Sequence, residues 1–309
     1  MTSRRGVAVA SLVAATAFWA GNYVVGRSAV AELSPVSLVW WRWLLAVGPL
    51  LAIAHVLERP QWREVLRHWP WLLGLSAFGL AGYNLLLYSA LQFTTAFKAS
   101  LINAFNPALI LLASVVVLHA RLRGRGVVGL LLALLGVLVV LTDGALLSLV
   151  DTRYNAGDLV MLAAIASWTA YTVLGRLAPR LPPITSTALQ AVVAVLLLSP
   201  LAARGLDLPG TGGAVWSLAF IAVFPSVLSY LLWNRALQTI EPAQAGPFLN
   251  LITVFTAVLA VTAGEPLTAA QVVGGVFVLL GVVLTGDVSL SRSRRLHSCA
   301  TRGRGRATG

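Results

Sequence analysis

The 309-residue chain is 58% hydrophobic and only 10% charged, with a mean hydropathy of +0.86. These values exclude an ordinary soluble domain, which is about half apolar and a quarter charged. The 22 basic residues outnumber the 10 acidic ones, but the arginines lie between apolar runs and in the tail, so we expect the lipid bilayer and no nucleic acid as a partner.

Ten apolar runs follow one another, each close to the length of about 20 residues that a helix needs to cross a bilayer. Short loops containing charged, proline or glycine residues separate them. We predict spans at 7–27, 35–57, 69–91, 96–118, 125–142, 157–176, 183–203, 214–236, 242–263 and 268–286. The sequence therefore predicts an all-α integral membrane protein with about ten transmembrane helices.

The basic residues are distributed unevenly between the two sides of the predicted membrane. With the N-terminus in the cytoplasm, the opposite side holds only Arg27, Lys98, Arg153 and Arg204, and nearly all the others fall in cytoplasmic loops or the tail. This asymmetry follows the positive-inside rule. We therefore expect a multi-pass protein of the inner membrane with both termini in the cytoplasm.

The two halves of the chain repeat each other. Trp19 and Gly26 recur 149 residues later as Trp168 and Gly175. In the fifth and tenth predicted spans, pairs of glycines recur at an offset of 145; these are Gly129 with Gly136, and Gly274 with Gly281. Five spans per half would insert the second copy upside down, which predicts two inverted five-helix repeats around a central cavity.

The most polar interruption sets the boundary between these repeats. We predict a first repeat at 1–142, a periplasmic or extracellular connector at 143–156, and a second repeat at 157–288. The last segment, 289–309, is rich in arginine, serine and glycine, and we expect it to be a disordered basic tail in the cytoplasm.

Several short motifs resemble those of a known family. They are Trp19-Ala-Gly-Asn22, Pro35 with Arg42, Asn106-Pro107, Trp168, Ala236-Leu237, and Gly264-Glu265-Pro266-Leu267-Thr268 ahead of Gly274 and Gly281. With these motifs the chain resembles the EamA-type branch of the drug/metabolite transporter superfamily from about Val7 to Gly286. The resemblance implies ten helices in two inverted repeats and export of a small amphipathic metabolite such as an amino acid. His119 departs from it, because the family usually has a glutamate at the end of the fourth helix.

All ten acidic residues fall at predicted loops or helix ends. A carboxylate inside the bilayer is the usual seat of proton coupling and cation binding, so its absence argues against efflux of lipophilic cationic drugs. Such multidrug efflux remains one alternative to metabolite transport, and a non-transporting membrane protein or a channel is another. The chain has neither a phosphate-binding loop nor a zinc-protease motif, so we predict no enzyme, no catalytic residue, no metal and no cofactor.

Two basic residues lie in or near the predicted hydrocarbon region. Arg42 lies about two turns into the second span, and Lys98 opens the fourth. A cation there costs roughly 2.5–3.5 kcal/mol even on lenient scales, so it should face a watery cavity, a partner or an anionic group. We predict that Arg42 holds a substrate carboxylate or phosphate; the alternative is that it only fixes helix packing or extends to the interface.

Polar and aromatic side chains at helical spacing form the rest of the predicted binding site. An apolar pocket with a few hydrogen-bonding points is the usual form of a small-molecule site. Asn106-Pro107 and Gly246-Pro247 with Asn250 also interrupt the fourth and ninth spans, as at transporter binding sites, although such residues serve ordinary packing too. The predicted substrate-binding residues are Trp19, Asn22, Tyr23, Arg42, Tyr83, Asn84, Tyr88, Lys98, Asn103, Asn106, Trp168, Tyr171, Tyr230, Trp233, Asn234 and Asn250.

Overall fold

The computed structural model describes residues 2–118, 124–146, 155–240 and 245–286, and within them every regular element is a helix. The ten main helices are α1 (Thr2–Ala29), α2 (Pro35–Leu57), α3 (Trp69–Leu91), α4 (Ala96–Val117), α5 (Gly124–Leu141), α6 (Ala156–Leu177), α7 (Pro183–Ala202), α8 (Gly212–Leu237), α9 (Phe248–Thr262) and α10 (Ala269–Gly286). A short helix, Trp62–Leu66, precedes α3, and a 3₁₀ segment, Gly246–Asn250, leads into α9.

The predicted all-α membrane fold of about ten helices is confirmed. Helices α1 to α8 are long and apolar enough to cross a membrane, and the apolar parts of α9 and α10 are shorter. The bounds of α2 and α3 are those predicted from the sequence. His119, most of the 143–156 connector, the predicted start of the ninth span at 242 and the 289–309 tail lie outside the described residues.

Local capping signals explain where several helices begin. The side chain of Ser34 accepts a hydrogen bond from the Ser37 amide, and Pro35 occupies the first position of α2. Thr95 caps α4 and Asn155 caps α6 through bonds of the same kind. A hydroxyl or amide oxygen at this position satisfies an N–H group that the helix itself leaves unpaired.

The helices of the two halves pack against their counterparts. Helix α2 packs on α7, and α5 packs on α10. Helix α1 of the first half packs on α8 and α9, while its counterpart α6 packs on α3 and α4. Every one of these contacts is preserved when the halves are exchanged, so the bundle has an approximate two-fold relationship with its centre between α1, α3, α4 and α6, α8, α9.

Glycines permit the closest of these contacts, between α5 and α10. A Cβ atom added to Gly136 would lie 2.5 Å from the carbonyl oxygen of Gly274. One added to Gly281 would lie 2.5 Å from the carbonyl oxygen of Gly129. The backbones therefore touch where these glycines face each other, as small residues allow in membrane helices.

Carboxylates link the ends of helices across the halves. Glu58, after α2, accepts hydrogen bonds of 2.9 and 2.7 Å from the amides of Ile184 and Thr185 in α7. Asp207, five residues after the end of α7, accepts a 2.8 Å bond from the Ser34 amide at the start of α2. Hydrogen bonding from Ser34 holds the pKa of the Asp207 carboxyl below its ordinary value.

A third carboxylate, Glu265, lies between α9 and α10 and reaches the start of α4. Its two oxygens accept hydrogen bonds of 3.3 and 3.5 Å from the amides of Ala96 and Phe97. A negative charge at a helix N-terminus is favourable because the unpaired amides carry partial positive charge. The acid that the family resemblance singled out thus caps a helix of the opposite half.

Candidate functional site

A cavity of about 530 Å³ lies between the two halves and is lined by eight of the ten helices. Its volume is in the range of small-molecule sites. Fourteen of the sixteen residues predicted from the sequence line it. They are Trp19, Asn22, Tyr23, Arg42, Tyr83, Asn84, Asn103, Asn106, Trp168, Tyr171, Tyr230, Trp233, Asn234 and Asn250.

Among the described residues, the lining of the cavity reaches only one end of the bundle. Its outer part is lined by residues between α6 and α7, such as Ala178 and Pro183, and by Asn234 and Asn250 near the adjoining ends of α8 and α9. In α4 the lining begins at Asn103, so the first two turns of that helix lie beyond its closed end. The site is therefore a pocket with a single mouth.

Arg42 is the most highly connected side chain in this pocket. Its Nε donates a 2.7 Å hydrogen bond to Oγ of Ser226 in α8. Its Nη1 donates bonds of 2.7 Å to Asn84, 2.8 Å to Tyr88 and 3.3 Å to Asn22. The guanidinium group thus joins helices α1, α2, α3 and α8 while it lines the cavity.

No carboxylate neutralises this guanidinium group among the described residues. All its partners are neutral oxygens, and the faces of Trp43 and Tyr88 lie 4.8 and 5.9 Å from Cζ. Its Nη2 makes no hydrogen bond within the described part of the chain. Because the side chain of Arg42 is buried and arginine stays protonated, an uncompensated positive charge with free N–H groups faces the pocket.

Aromatic rings form the wall of the pocket on the α1 and α8 side. The ring of Trp19 packs at 5.7 Å from Tyr230 and at 5.5 Å from Trp233, measured between centroids. Its indole N–H donates a 3.2 Å bond to the carbonyl oxygen of Pro225. The ring of Trp19 is therefore held in the wall of the cavity by contacts with α8.

The opposite wall repeats this arrangement around Trp168. Its ring lies 4.9 Å from those of both Tyr83 and Tyr171. The hydroxyl of Tyr23 donates a 3.0 Å bond to that of Tyr83, which donates a 3.1 Å bond to Oδ1 of Asn103. These two hydrogen bonds connect α1, α3 and α4 and hold the tyrosine rings in place.

The helices are irregular where they line the pocket. α3 contains a π-helical segment at Ser76–Tyr83, and α8 contains one at Phe224–Leu228. The predicted interruption at Asn106 is present as a turn between Ala104 and Asn106, and Oδ1 of that asparagine accepts a 3.1 Å bond from Thr169. Such segments recur at functional sites because they redirect side chains and free backbone groups.

Two predicted residues do not line the cavity. Tyr88 is fully buried behind it, where its hydroxyl donates a 2.7 Å bond to Asn22 and accepts one from Arg42. Lys98 lies beyond the closed end, with Nζ 2.8 Å from Oδ2 of Asp158. The geometry gives Tyr88 a supporting position, and it gives Lys98 a partner within the protein.

One cavity residue, Gln190, and one residue that binds Arg42 behind the cavity wall, Ser226, were missed by the sequence analysis. Gln190 lines the pocket from α7, at the position equivalent to Arg42 in α2, because both follow the first residue of their helix, Pro183 or Pro35, by seven positions. Aligning the two helices on Pro35 and Pro183, which are 148 residues apart, would have found it. Ser226, which binds Arg42, gives no such signal, since a serine in an apolar run is common.

Comparisons with known proteins agree with this architecture. The sequence profile of the EamA-like transporter family matches residues 6–142 and 155–286. An uncharacterized transporter, YyaM, from Bacillus subtilis (strain 168) is 29% identical over 276 residues, which cover 88% of this chain and 90% of the relative. An uncharacterized inner membrane transporter, YhbE, from Escherichia coli (strain K12) is 25% identical over 261 residues, covering 83% and 81% of the two chains.

A solved crystal structure also shares the fold. It superposes with a TM-score of 0.63 at 21% sequence identity, and the match covers 92% of this chain and 96% of the other. The two matched ranges of the family profile together span nearly all of the described helices. The chain therefore belongs to the EamA-like transporter family and is a multi-pass membrane transporter.

Proposed function

We propose that this protein is a secondary transporter that exports a small amphipathic metabolite bearing a carboxylate, such as an amino-acid-like solute, across the inner membrane. The observation that carries the proposal is the buried guanidinium of Arg42, which faces the cavity with Nη2 unbonded and no acid beside it among the described residues. A substrate carboxylate would supply both the counter-charge and the missing acceptors.

The lining of the cavity supports an anionic group over a cationic one. Two of its residues, Arg42 and Arg180, are basic, and none of the described lining residues is acidic. A lipophilic cation would meet repulsion from these charges and would find only aromatic faces to compensate. Multidrug efflux of cations is the weaker candidate for this reason.

The shape of the bundle supports transport by alternating access. The pocket has one mouth, and its closed end is held by the Lys98–Asp158 ion pair and by Glu265 at the start of α4. Each half makes equivalent helix contacts with the other. Rocking one half against the other could therefore seal the mouth and open the closed end. With both termini in the cytoplasm, the mouth between α6 and α7 faces the cytoplasm, ready to load a solute for export.

The experiment compares Arg42→Lys with the wild type in reconstituted vesicles. Metabolite profiling of medium from cells that overproduce or lack the protein first identifies the exported solute, and its uptake is then measured. Lysine keeps the charge but not the planar pair of N–H donors, so we expect transport to fall about tenfold or more. Arg204→Lys, an exposed replacement between α7 and α8, serves as the control.

The outcomes separate the candidates. Undiminished transport of the solute by Arg42→Lys, in protein that unfolds at the wild-type temperature, would show that Arg42 is a packing residue. Flux that never saturates with solute concentration would favour a channel. Efflux of lipophilic cations without any carboxylate solute would favour the multidrug alternative.

A further inference from the structure

The side chain of Gln190 is buried in the cavity wall with an unused hydrogen-bond acceptor. It is 3% exposed, and its Oε1 has no hydrogen-bond partner within the described part of the protein. Its Nε2 donates a 2.8 Å bond to Oγ of Ser186, one turn earlier in α7. This bond fixes the carboxamide in the wall of the cavity that the residue lines, with Oε1 buried and lacking a donor. Buried acceptors in folded proteins are rarely left without a donor.

The fold places Gln190 as the counterpart of Arg42. Each residue is the eighth of its helix, and α2 and α7 pack against each other. A serine from a π-helical segment of the opposite half bonds each residue, although at different atoms. Oγ of Ser226 accepts from the Arg42 side chain at 2.7 Å, and Oγ of Ser76 donates to the main-chain carbonyl oxygen of Gln190 at 2.7 Å. The pocket thus has two polar side chains, Arg42 and Gln190, at equivalent positions of the two halves.

The two points have complementary chemistry. Arg42 presents only donors, and the free oxygen of Gln190 presents only an acceptor. A solute with a carboxylate alone would satisfy the first and leave the second unpaired. A solute that carries a hydrogen-bond donor at a distance from its carboxylate would satisfy both.

We propose that Gln190 is a specificity-determining residue, whose Oε1 accepts a hydrogen bond from a donor group of the solute while Arg42 holds the carboxylate. This inference rests on the proposed function and adds the second group that the solute must carry. Its chemical class is a donor-bearing carboxylate, in which the donor is an ammonium, an amide N–H or a hydroxyl.

The test measures binding by four related compounds to purified protein in detergent, from the rise of the unfolding temperature with ligand concentration. The compounds are L-phenylalanine, N-acetyl-L-phenylalanine, L-3-phenyllactate and 3-phenylpropionate, which differ in carrying an ammonium, an amide N–H, a hydroxyl or no donor. We expect the wild type to bind at least one donor-bearing compound about tenfold more tightly than 3-phenylpropionate. The preferred compound identifies the donor.

The variant Gln190→Leu should bind all four compounds at the level of 3-phenylpropionate, because it keeps the volume but has no acceptor. Gln190→Met also removes the acceptor and should give the same result, so it carries the test if the leucine variant does not fold. Gln190→Glu keeps an acceptor and should retain a preference for the ammonium compound. Leu196→Ala, on the exposed face of the same helix, is the control for effects on α7 as a whole.

A ratio between the donor-bearing compounds and 3-phenylpropionate that is the same in the wild type and in Gln190→Leu, or in Gln190→Met where the leucine variant does not fold, would overturn this inference. That result would leave the proposed function standing if Arg42→Lys still weakened binding of all four compounds alike. If Gln190→Leu lost the preference for donor-bearing compounds while Arg42→Lys bound all four as tightly as the wild type, the inference about Gln190 would stand and the proposed role of Arg42 would be wrong. Wild-type protein that binds none of the four would count against both.

Discussion

Nζ of Lys98 lies 2.8 Å from Oδ2 of Asp158, and this ion pair joins the first turn of α4 to the first turn of α6. Asp158 is completely buried, and its Oδ1 accepts a 2.7 Å hydrogen bond from Thr94. Asp143 lies 3.7 Å from the same ammonium group but is largely exposed. The first half of the chain is therefore tied to the second at the closed end of the cavity.

Removing one partner of this ion pair should lower the free energy of unfolding more than removing both. Lys98→Met would leave the Asp158 carboxylate buried without its counter-charge, and we expect a loss of about 3 kcal/mol in the free energy of unfolding. In Lys98→Met with Asp158→Leu, no charge remains to be desolvated, so much of that loss should be recovered. Thermal unfolding of the purified variants in detergent measures both effects.

The exposed Arg204→Met provides the control for removing a cation from the same predicted side, and it should unfold with the wild type. A double variant less stable than Lys98→Met alone would show that the carboxylate does not depend on this lysine.

The contact between α5 and α10 predicts a strong effect of small changes. In Gly281→Ala, the new methyl group would lie 2.5 Å from backbone atoms of Gly129 and Ala133, which cannot move independently of α5. We expect a loss of about 2 kcal/mol, which is typical of overpacking.

The matched change Gly48→Ala places a methyl group in open space on α2. Because alanine favours a helix more than glycine does, this variant should be as stable as the wild type or slightly more stable. Equal unfolding temperatures for Gly281→Ala and Gly48→Ala would mean that the helices do not pack as closely as described.

The sequence predicted what depends on local chemistry. The start of α2 was predictable because Ser34 and Pro35 are cap residues, and Arg42 was a candidate because a cation in an apolar run is costly. The partner of Lys98 was not predictable, since Asp158 is distant in sequence and becomes its neighbour only through packing. Gln190 escaped notice because a neutral amide in a span carries no penalty large enough to mark it.

The π-helical segments of α3 and α8 were also absent from the predictions. They consist of ordinary apolar and small residues, so no composition signal separates them from an α-helix. The hydrogen bonds that accompany them join residues distant in sequence. Ser76 donates to the main-chain carbonyl oxygen of Gln190, and Ser226 accepts from the side chain of Arg42. Such irregularities depend on contacts between helices, which a local pattern does not contain.

Asp207 predicts a dependence of stability on pH. Because its pKa is lowered in the folded state, its ionised form stabilises the protein above the pKa of the unfolded chain, and this contribution disappears as the pH falls through the folded-state pKa. Asp207→Asn should therefore unfold at a lower temperature than the wild type at pH 7, by an amount equivalent to about 0.5 kcal/mol, as for charges at helix ends.

The difference should shrink as the pH is lowered through the acidic range and vanish once the wild-type carboxyl is protonated. Unfolding temperatures of the two proteins, recorded between pH 7 and pH 2, test this. A gap that stays constant over that range would assign the effect to the geometry of the asparagine side chain, not to charge.

The single mouth of the cavity predicts which side of the membrane reaches it. The sequence has one cysteine, so Cys299→Ala gives a background without thiols. In that background Thr187→Cys places a thiol in the cavity wall on α7, and Phe93→Cys places one on the exposed loop between α3 and α4 at the opposite end. A membrane-impermeant maleimide should label Thr187→Cys only in inside-out vesicles and Phe93→Cys only in right-side-out vesicles. Because the closed end is sealed by buried contacts, equal labelling of Thr187→Cys from both sides would indicate a continuous pore, and the reversed pattern would place the termini outside the cytoplasm.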